Sequence, residues 1–72
     1  MNIAIWGAGK FGQYIFSQLK ANSDMQVCCF IDSKIQENGL CQGIEVVSPE
    51  VYMRHYDFKT DVVLVAFLDG IT

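Results

Sequence analysis

Basic residues are scarce in this sequence. Five lysines and arginines stand against eight aspartates and glutamates, and the formal net charge is −3. Proteins that bind nucleic acids usually carry a basic face that neutralises phosphates. The charge balance therefore argues against a nucleic-acid partner, and also against docking on an anionic membrane surface.

Long apolar segments are also missing. The longest uninterrupted apolar run, residues 62–68, is far shorter than the roughly 20 residues that a membrane-spanning helix needs. No basic, apolar and small-residue pattern of a signal peptide precedes the first apolar run. We therefore expect no membrane insertion, and the cytoplasm is the expected location.

Metal-binding patterns are absent as well. There is one histidine, and the three cysteines form no C-x-x-C pair. Cys28 and Cys29 are neighbours on a predicted strand and should point to opposite faces, so they make a poor disulfide pair. We expect no metal site, and free thiols at these two residues and at Cys41.

The chain is short and rich in apolar residues. It has 72 residues, of which 51% are hydrophobic. A chain of this size forms at most one domain, residues 1–72, and buries only about 60% of its unfolded surface. We expect a partner to cover the remaining apolar surface, either as a homo-oligomer or as a further C-terminal domain of a longer protein.

The order of the apolar segments predicts an α/β fold. Three apolar runs, at residues 2–6, 25–31 and 61–68, read as buried strands, with a helix at residues 10–21 after the first. Residues 33–43 read as a loop, residues 44–47 as a short extended piece, and Ser48-Pro49-Glu50 as a helix start. This alternation predicts a partial Rossmann-like parallel sheet of about three main strands with flanking helices, with strand one between the other two or at their edge.

A glycine-rich loop lies between the first strand and the first helix, which is the context that a phosphate-binding loop requires. Gly7 allows a sharp turn, Gly9 allows a pyrophosphate to approach the backbone, and Gly12 allows the helix to pack closely on the sheet. The helix N-terminus then offers free N–H groups to phosphates. We predict that the whole loop binds ligand: Gly7, Ala8, Gly9, Lys10, Phe11 and Gly12.

Acidic residues follow two of the predicted strands. Asp32 ends the second strand, twenty residues after Gly12, where a carboxylate can accept hydrogen bonds from ribose hydroxyls. Ser33 follows it, and the charge of Asp32 favours a ligand with a free ribose 2′-hydroxyl. Asp69 follows the third strand, at the edge of the sheet where α/β proteins bind ligands, and either borders the site or belongs to an ordinary turn. We find no catalytic residue.

Several segments together resemble one protein family. They are the glycine loop, Phe30-Ile31-Asp32, Gly43-Ile44-Glu45-Val46 and Ser48-Pro49-Glu50. The chain is similar over nearly its whole length to the Rossmann-like N-terminal domain of bacterial sugar acyltransferases of the bacillosamine type. The resemblance implies that the loop holds the pyrophosphate of a UDP-sugar and that the surroundings of Asp32 hold the uridine. The catalytic histidine of that family lies in a separate domain, so no catalytic residue is carried over.

Three functions remain open. The first is binding of a UDP-sugar by the N-terminal domain of a sugar-modifying transferase of surface-polysaccharide biosynthesis. The second is an NAD-binding domain of an oxidoreductase or of a nucleotide-sugar epimerase or dehydratase, which uses the same loop. The third is a non-catalytic nucleotide-sensing module that works as a dimer.

Overall fold

The computed structural model describes residues 1–34 and 39–66. Within these ranges, strands and helices alternate along most of the chain. They are β1 (Asn2–Trp6), α1 (Lys10–Lys20), β2 (Gln26–Ile31), β3 (Gly39–Cys41), β4 (Ile44–Val47), α2 (Pro49–His55), a 3₁₀ helix (Asp57–Lys59) and β5 (Val62–Val65). The predicted α/β fold is confirmed.

The described strands form one sheet in the order β3-β4-β2-β1-β5. β1 runs parallel to both β2 and β5, and β2 runs parallel to β4. The first strand therefore lies between the two other main strands, one of the two positions predicted. From β1, the chain first adds β2 and β4 on one side of the strand and later adds β5 on the other side. Because β1, β2 and β5 are parallel, their carboxyl ends lie at the same edge of the sheet.

One strand was missed. Residues 39–41 were predicted to be part of a loop, but they form β3, which pairs antiparallel with β4. The sheet is therefore mixed, because this added edge strand is antiparallel to its neighbour. The physical reason is the two-residue turn between β3 and β4, which can only connect antiparallel strands.

The sheet is covered on both faces. On one face, α1 packs on β1 and β2, and the rings of Phe16 and Phe30 lie 5.8 Å apart between centroids. On the other face, Tyr52 and Tyr56, at α2 and its end, pack against Cys29 and other buried residues. Because β2 contacts both layers, its sequence is apolar without alternation, as expected for an internal parallel strand.

Two details of the strands differ from the prediction. Cys28 and Cys29 both contact the core on the α2 side instead of opposite faces, at the level where a register shift between Ile3 and Ala4 disturbs the β1–β2 pairing. The three cysteines are free thiols, as predicted. The third main strand is not fully buried, because Val63 and Val65 of β5 are 38% and 59% exposed.

Helix α2 begins where the sequence predicted. Ser48 is its N-cap, and its hydroxyl oxygen accepts a hydrogen bond of 3.2 Å from the N–H of Val51. Pro49 occupies the first helical position, and Glu50 lies in the first turn, near the positive end of the helix dipole. This start sends the chain from β4 across the sheet towards β5.

Candidate functional site

The glycine loop leaves β1 through a sharp turn at Gly7. Its φ angle is +122°, a conformation that L-residues rarely adopt. The N–H of Gly7 donates to the carbonyl of Ile31 at 2.7 Å, and a Cβ at this position would lie 2.7 Å from the carbonyl oxygen of Ala66. The start of the loop is therefore fixed between the ends of β2 and β5, and only glycine fits there.

Gly12 holds α1 close to the loop. A Cβ at Gly12 would overlap the carbonyl oxygen of Gly7 and come within 3.6 Å of the side chain of Ile5. Gly12 is also the buried residue of this amphipathic helix. The close approach of helix and strand that the motif predicted is present in this geometry.

Gly9 differs from the other two glycines of the loop. A Cβ at Gly9 would meet no protein atom within 4 Å, and its φ of −76° is accessible to any residue. Packing within the described chain therefore does not require glycine here. The open space next to Gly9 is available to a ligand.

The N-terminus of α1 lacks the usual caps. Gly9 is the N-cap residue and has no side chain to accept a hydrogen bond, and the first turn contains no acidic residue. The first helical hydrogen bond runs from the N–H of Gln13 to the carbonyl of Gly9 at 3.0 Å, so the N–H groups of Lys10, Phe11 and Gly12 precede it. Lys10 adds a positive charge at the positive end of the helix dipole, which favours an anion nearby.

A cleft of about 550 Å³ opens beside the loop, at the carboxyl ends of β1 and β2. This volume is in the usual range for small-molecule sites. Eight described residues line it: Ala8, Gln13, Asp32, Lys34, Leu40, Cys41, Gln42 and Val46. Of the predicted binding residues, Ala8 and Asp32 line the cleft, whereas the other described loop residues and Ser33 do not; Asp69 lies outside the described residues.

Asp32 directly follows the end of β2 and is half-buried. Its backbone N–H continues the sheet ladder by donating to the carbonyl of Val47 at 2.9 Å. One carboxylate oxygen accepts the N–H of Lys34 at 2.9 Å, which forms an Asx turn. Both hydrogen bonds fix the position of a carboxylate on the wall of the cleft.

The opposite wall comes from the turn between β3 and β4, which the sequence analysis did not assign to the site. The Gln42 side chain donates from Nε2 to Oε1 of Gln13 at 3.1 Å, and Gln13 Nε2 donates to the carbonyl of Ala8 at 3.2 Å. The Cys41 thiol lies 3.8 Å from the same carbonyl. These contacts connect the turn to the glycine loop.

The thiol in the cleft is not an activated nucleophile. Desolvation by burial raises the pKa of Cys41 above its usual value, so the neutral thiol dominates at pH 7. His55, in the last turn of α2, is exposed and does not line the cleft. Within residues 1–34 and 39–66, no group of three or more metal-ligating side chains is present.

The sequence matches the model of a known protein family. The model of the PglD N-terminal domain family matches residues 2–69, which include the glycine loop, Asp32 and the β3–β4 turn. The chain belongs to the PglD N-terminal domain family. This is the family that the sequence resembled, the N-terminal domain of bacillosamine-type acetyltransferases. No curated protein gives a significant match to the chain.

Membership in the PglD N-terminal domain family supports a sugar-nucleotide-binding domain of an acetyltransferase. The cleft of this PglD-type domain lies at the carboxyl ends of parallel strands, where open α/β sheets bind ligands. None of the described helices has the length and hydropathy that a membrane span requires.

Proposed function

We propose that this chain binds a UDP-sugar in the cleft, as the N-terminal domain of a sugar-modifying transferase of surface-polysaccharide biosynthesis. The single observation that carries the proposal is the open space at Gly9, beside an uncapped helix N-terminus and next to Ala8, which lines the cleft. Family membership supports the choice of a sugar nucleotide over other phosphorylated ligands.

The diphosphate would bind at the loop. The N–H groups of the first turn of α1 and the dipole of the helix favour an anion, and the absence of a side chain at Gly9 allows it to approach the backbone. Lys10 is exposed at the first helical position and contributes further positive charge. Gly7 and Gly12 serve a different purpose, since they fix the shape of the loop.

The ribose would bind at Asp32. One oxygen of the carboxylate is held by the Lys34 N–H, and the carboxylate lines the cleft. A charged acceptor in this position suits the vicinal hydroxyls of a ribose without a 2′-phosphate. In this arrangement the phosphates of the ligand lie at the loop and its nucleoside lies at Asp32.

Isothermal titration calorimetry with UDP-N-acetylglucosamine, UDP and NAD in parallel tests the proposal. Asp32→Asn keeps an oxygen for the Lys34 N–H but removes the charge, and a hydrogen bond to a charged group is worth about 1.5–3 kcal/mol. We expect this variant to bind UDP ligands about 10- to 100-fold more weakly. Gly9→Val should abolish binding while the chain stays folded.

Asp24→Asn is the matched control, because Asp24 precedes β2 whereas Asp32 follows it. The two carboxylates therefore lie at opposite ends of one strand, and the control should bind like the wild type. Tighter binding of NAD than of the UDP ligands would replace the proposal by the oxidoreductase function. A folded chain that binds none of the three ligands would overturn it.

A further inference from the structure

The turn between β3 and β4 holds Gln42 in an unusual backbone conformation. Gln42 has a φ of +55° and Gly43 a φ of +81°, the pattern of a type I′ turn. Gln42 is the non-glycine residue with positive φ among those described, and this position normally favours asparagine, aspartate or glycine. The turn would therefore form more readily with glycine in place of Gln42.

The strained residue is also the one that reaches the cleft. The side chain of Gln42 lines the cleft and donates to Gln13, which in turn donates to the carbonyl of Ala8 in the glycine loop. A primary amide carries two N–H donors and a carbonyl acceptor, and the bond to Gln13 uses one donor. Residues in unfavourable backbone conformations occur frequently at binding sites, where function maintains them.

We infer that the Gln42 amide contacts the nucleobase of the bound nucleotide. This inference rests on the proposed function, which assigns the phosphates to the glycine loop and the ribose to Asp32. The remaining lining of the cleft includes the hydrocarbon side chains of Leu40 and Val46, suited to a flat ring, and the amide of Gln42. We assign this part of the lining to the base.

The chemistry of these groups fits a base. Leu40 lines the cleft although 72% of its surface is exposed, so a ring packed against it would cover apolar surface. An uncharged amide can donate and accept at the same time, as the edges of nucleobases do. The Gln42–Gln13–Ala8 chain of hydrogen bonds further links the base end of the cleft to the phosphate end.

Substitution of Gln42 by glycine distinguishes an effect on binding of the base from an effect on the stability of the fold. Gln42→Gly removes the amide but keeps, and relaxes, the turn. We expect its thermal midpoint to equal or exceed that of the wild type, while its affinity for UDP falls about three- to tenfold, as for the loss of a neutral hydrogen bond. Affinity for ribose 5-phosphate, which has no base, should stay unchanged.

NMR of the 72-residue chain gives an independent readout. The side-chain amide signal of Gln42 is assigned as the one missing from Gln42→Gly, and it should shift when UDP is added. Gln26 lies at the other end of β2 and provides the internal control, since its amide signal should not move. Ribose 5-phosphate should shift the backbone signals of Gly9 and Asp32 but leave the Gln42 amide in place.

The outcomes distinguish this inference from the proposed function. If UDP shifts the Gly9 and Asp32 signals but binds wild type and Gln42→Gly equally well, Gln42 does not contact the base and the inference is wrong. Equal losses of UDP and ribose 5-phosphate affinity would also overturn it, because they would place Gln42 in support of the loop. If UDP shifts none of these signals, both the inference and the proposed function fail.

Discussion

Replacing Gly12 by alanine tests the packing of α1 against the glycine loop. The new Cβ would overlap the carbonyl oxygen of Gly7 and lie 2.9 Å from its carbonyl carbon. Overpacking a well-packed site costs about 1–3 kcal/mol. We take the upper end, because the obstacle is backbone that is itself held against Ala66.

The expected net change in the free energy of unfolding also includes a stabilising contribution. Alanine is about 1 kcal/mol more favourable than glycine inside a helix. The free energy of unfolding should therefore fall by about 2 kcal/mol. For a domain of this size that is a large part of a total of roughly 4–11 kcal/mol, and it corresponds to a thermal midpoint lower by about 8–16 °C.

Gly9→Ala is the matched control for this prediction. It makes the same chemical change three residues away, but its Cβ would meet nothing within 4 Å. We expect its free energy of unfolding to fall by no more than about 1 kcal/mol, because alanine is a poorer N-cap residue than glycine but meets no packing obstacle. Urea denaturation followed by far-UV circular dichroism measures all three proteins. Equal stability of Gly12→Ala and wild type would refute the packing argument, and so would equal losses in the two variants.

Two further predictions concern alkaline pH and thiol protection. Burial, and then the neighbouring Cys28, raise the pKa of Cys29 to about 12, and burial together with the hydrogen bond to Glu45 raises the pKa of Tyr56 to about 12. Because both groups lose their protons earlier in the unfolded chain, the free energy of unfolding in urea should fall as the pH rises from about 8.5 to 12. Cys29→Ala should make this fall less steep without abolishing it, because the pKa values of Cys41, Tyr52 and Tyr56 are also raised; a flat profile for the wild type over this range would contradict the assignment. UDP at ten times its dissociation constant should slow modification of Cys41 by a thiol reagent about tenfold. Cys28, on the α2 side of the sheet, should react at an unchanged rate. Peptide mass spectrometry measures both rates, and an unprotected Cys41 would place the ligand elsewhere.

The parts of the fold that the sequence predicted are those with strong local patterns. The apolar run of β2, the helical spacing of α1 and the Ser48-Pro49 start of α2 all depend on neighbours along the chain. β3 was missed because it has three residues, of which Gly39 and Leu40 are exposed, and because its only described partner is β4. Pairing with another strand, not the sequence of residues 39–41, makes it a strand.

The residues around the cleft also differ in how far the sequence could predict them. Gly7 and Gly12 were predictable because the loop motif occupies consecutive residues between a strand and a helix. Gln13 and Gln42 are 29 residues apart and meet because β4 pairs with β2, which brings the β3–β4 turn next to α1. The positive φ of Gln42 has no signal in the sequence beyond the glycine that follows it.

The position of β1 in the sheet has a consequence for synthesis of the chain. β1 is translated before one of its two neighbours, β5, which follows about 60 residues later. At 5–20 residues per second this is a delay of roughly 3–12 s. During this time one edge of β1 has no partner, and Ala66, which contacts the turn at Gly7, is absent. The nascent chain therefore contains the glycine loop well before β5 arrives to complete its shape.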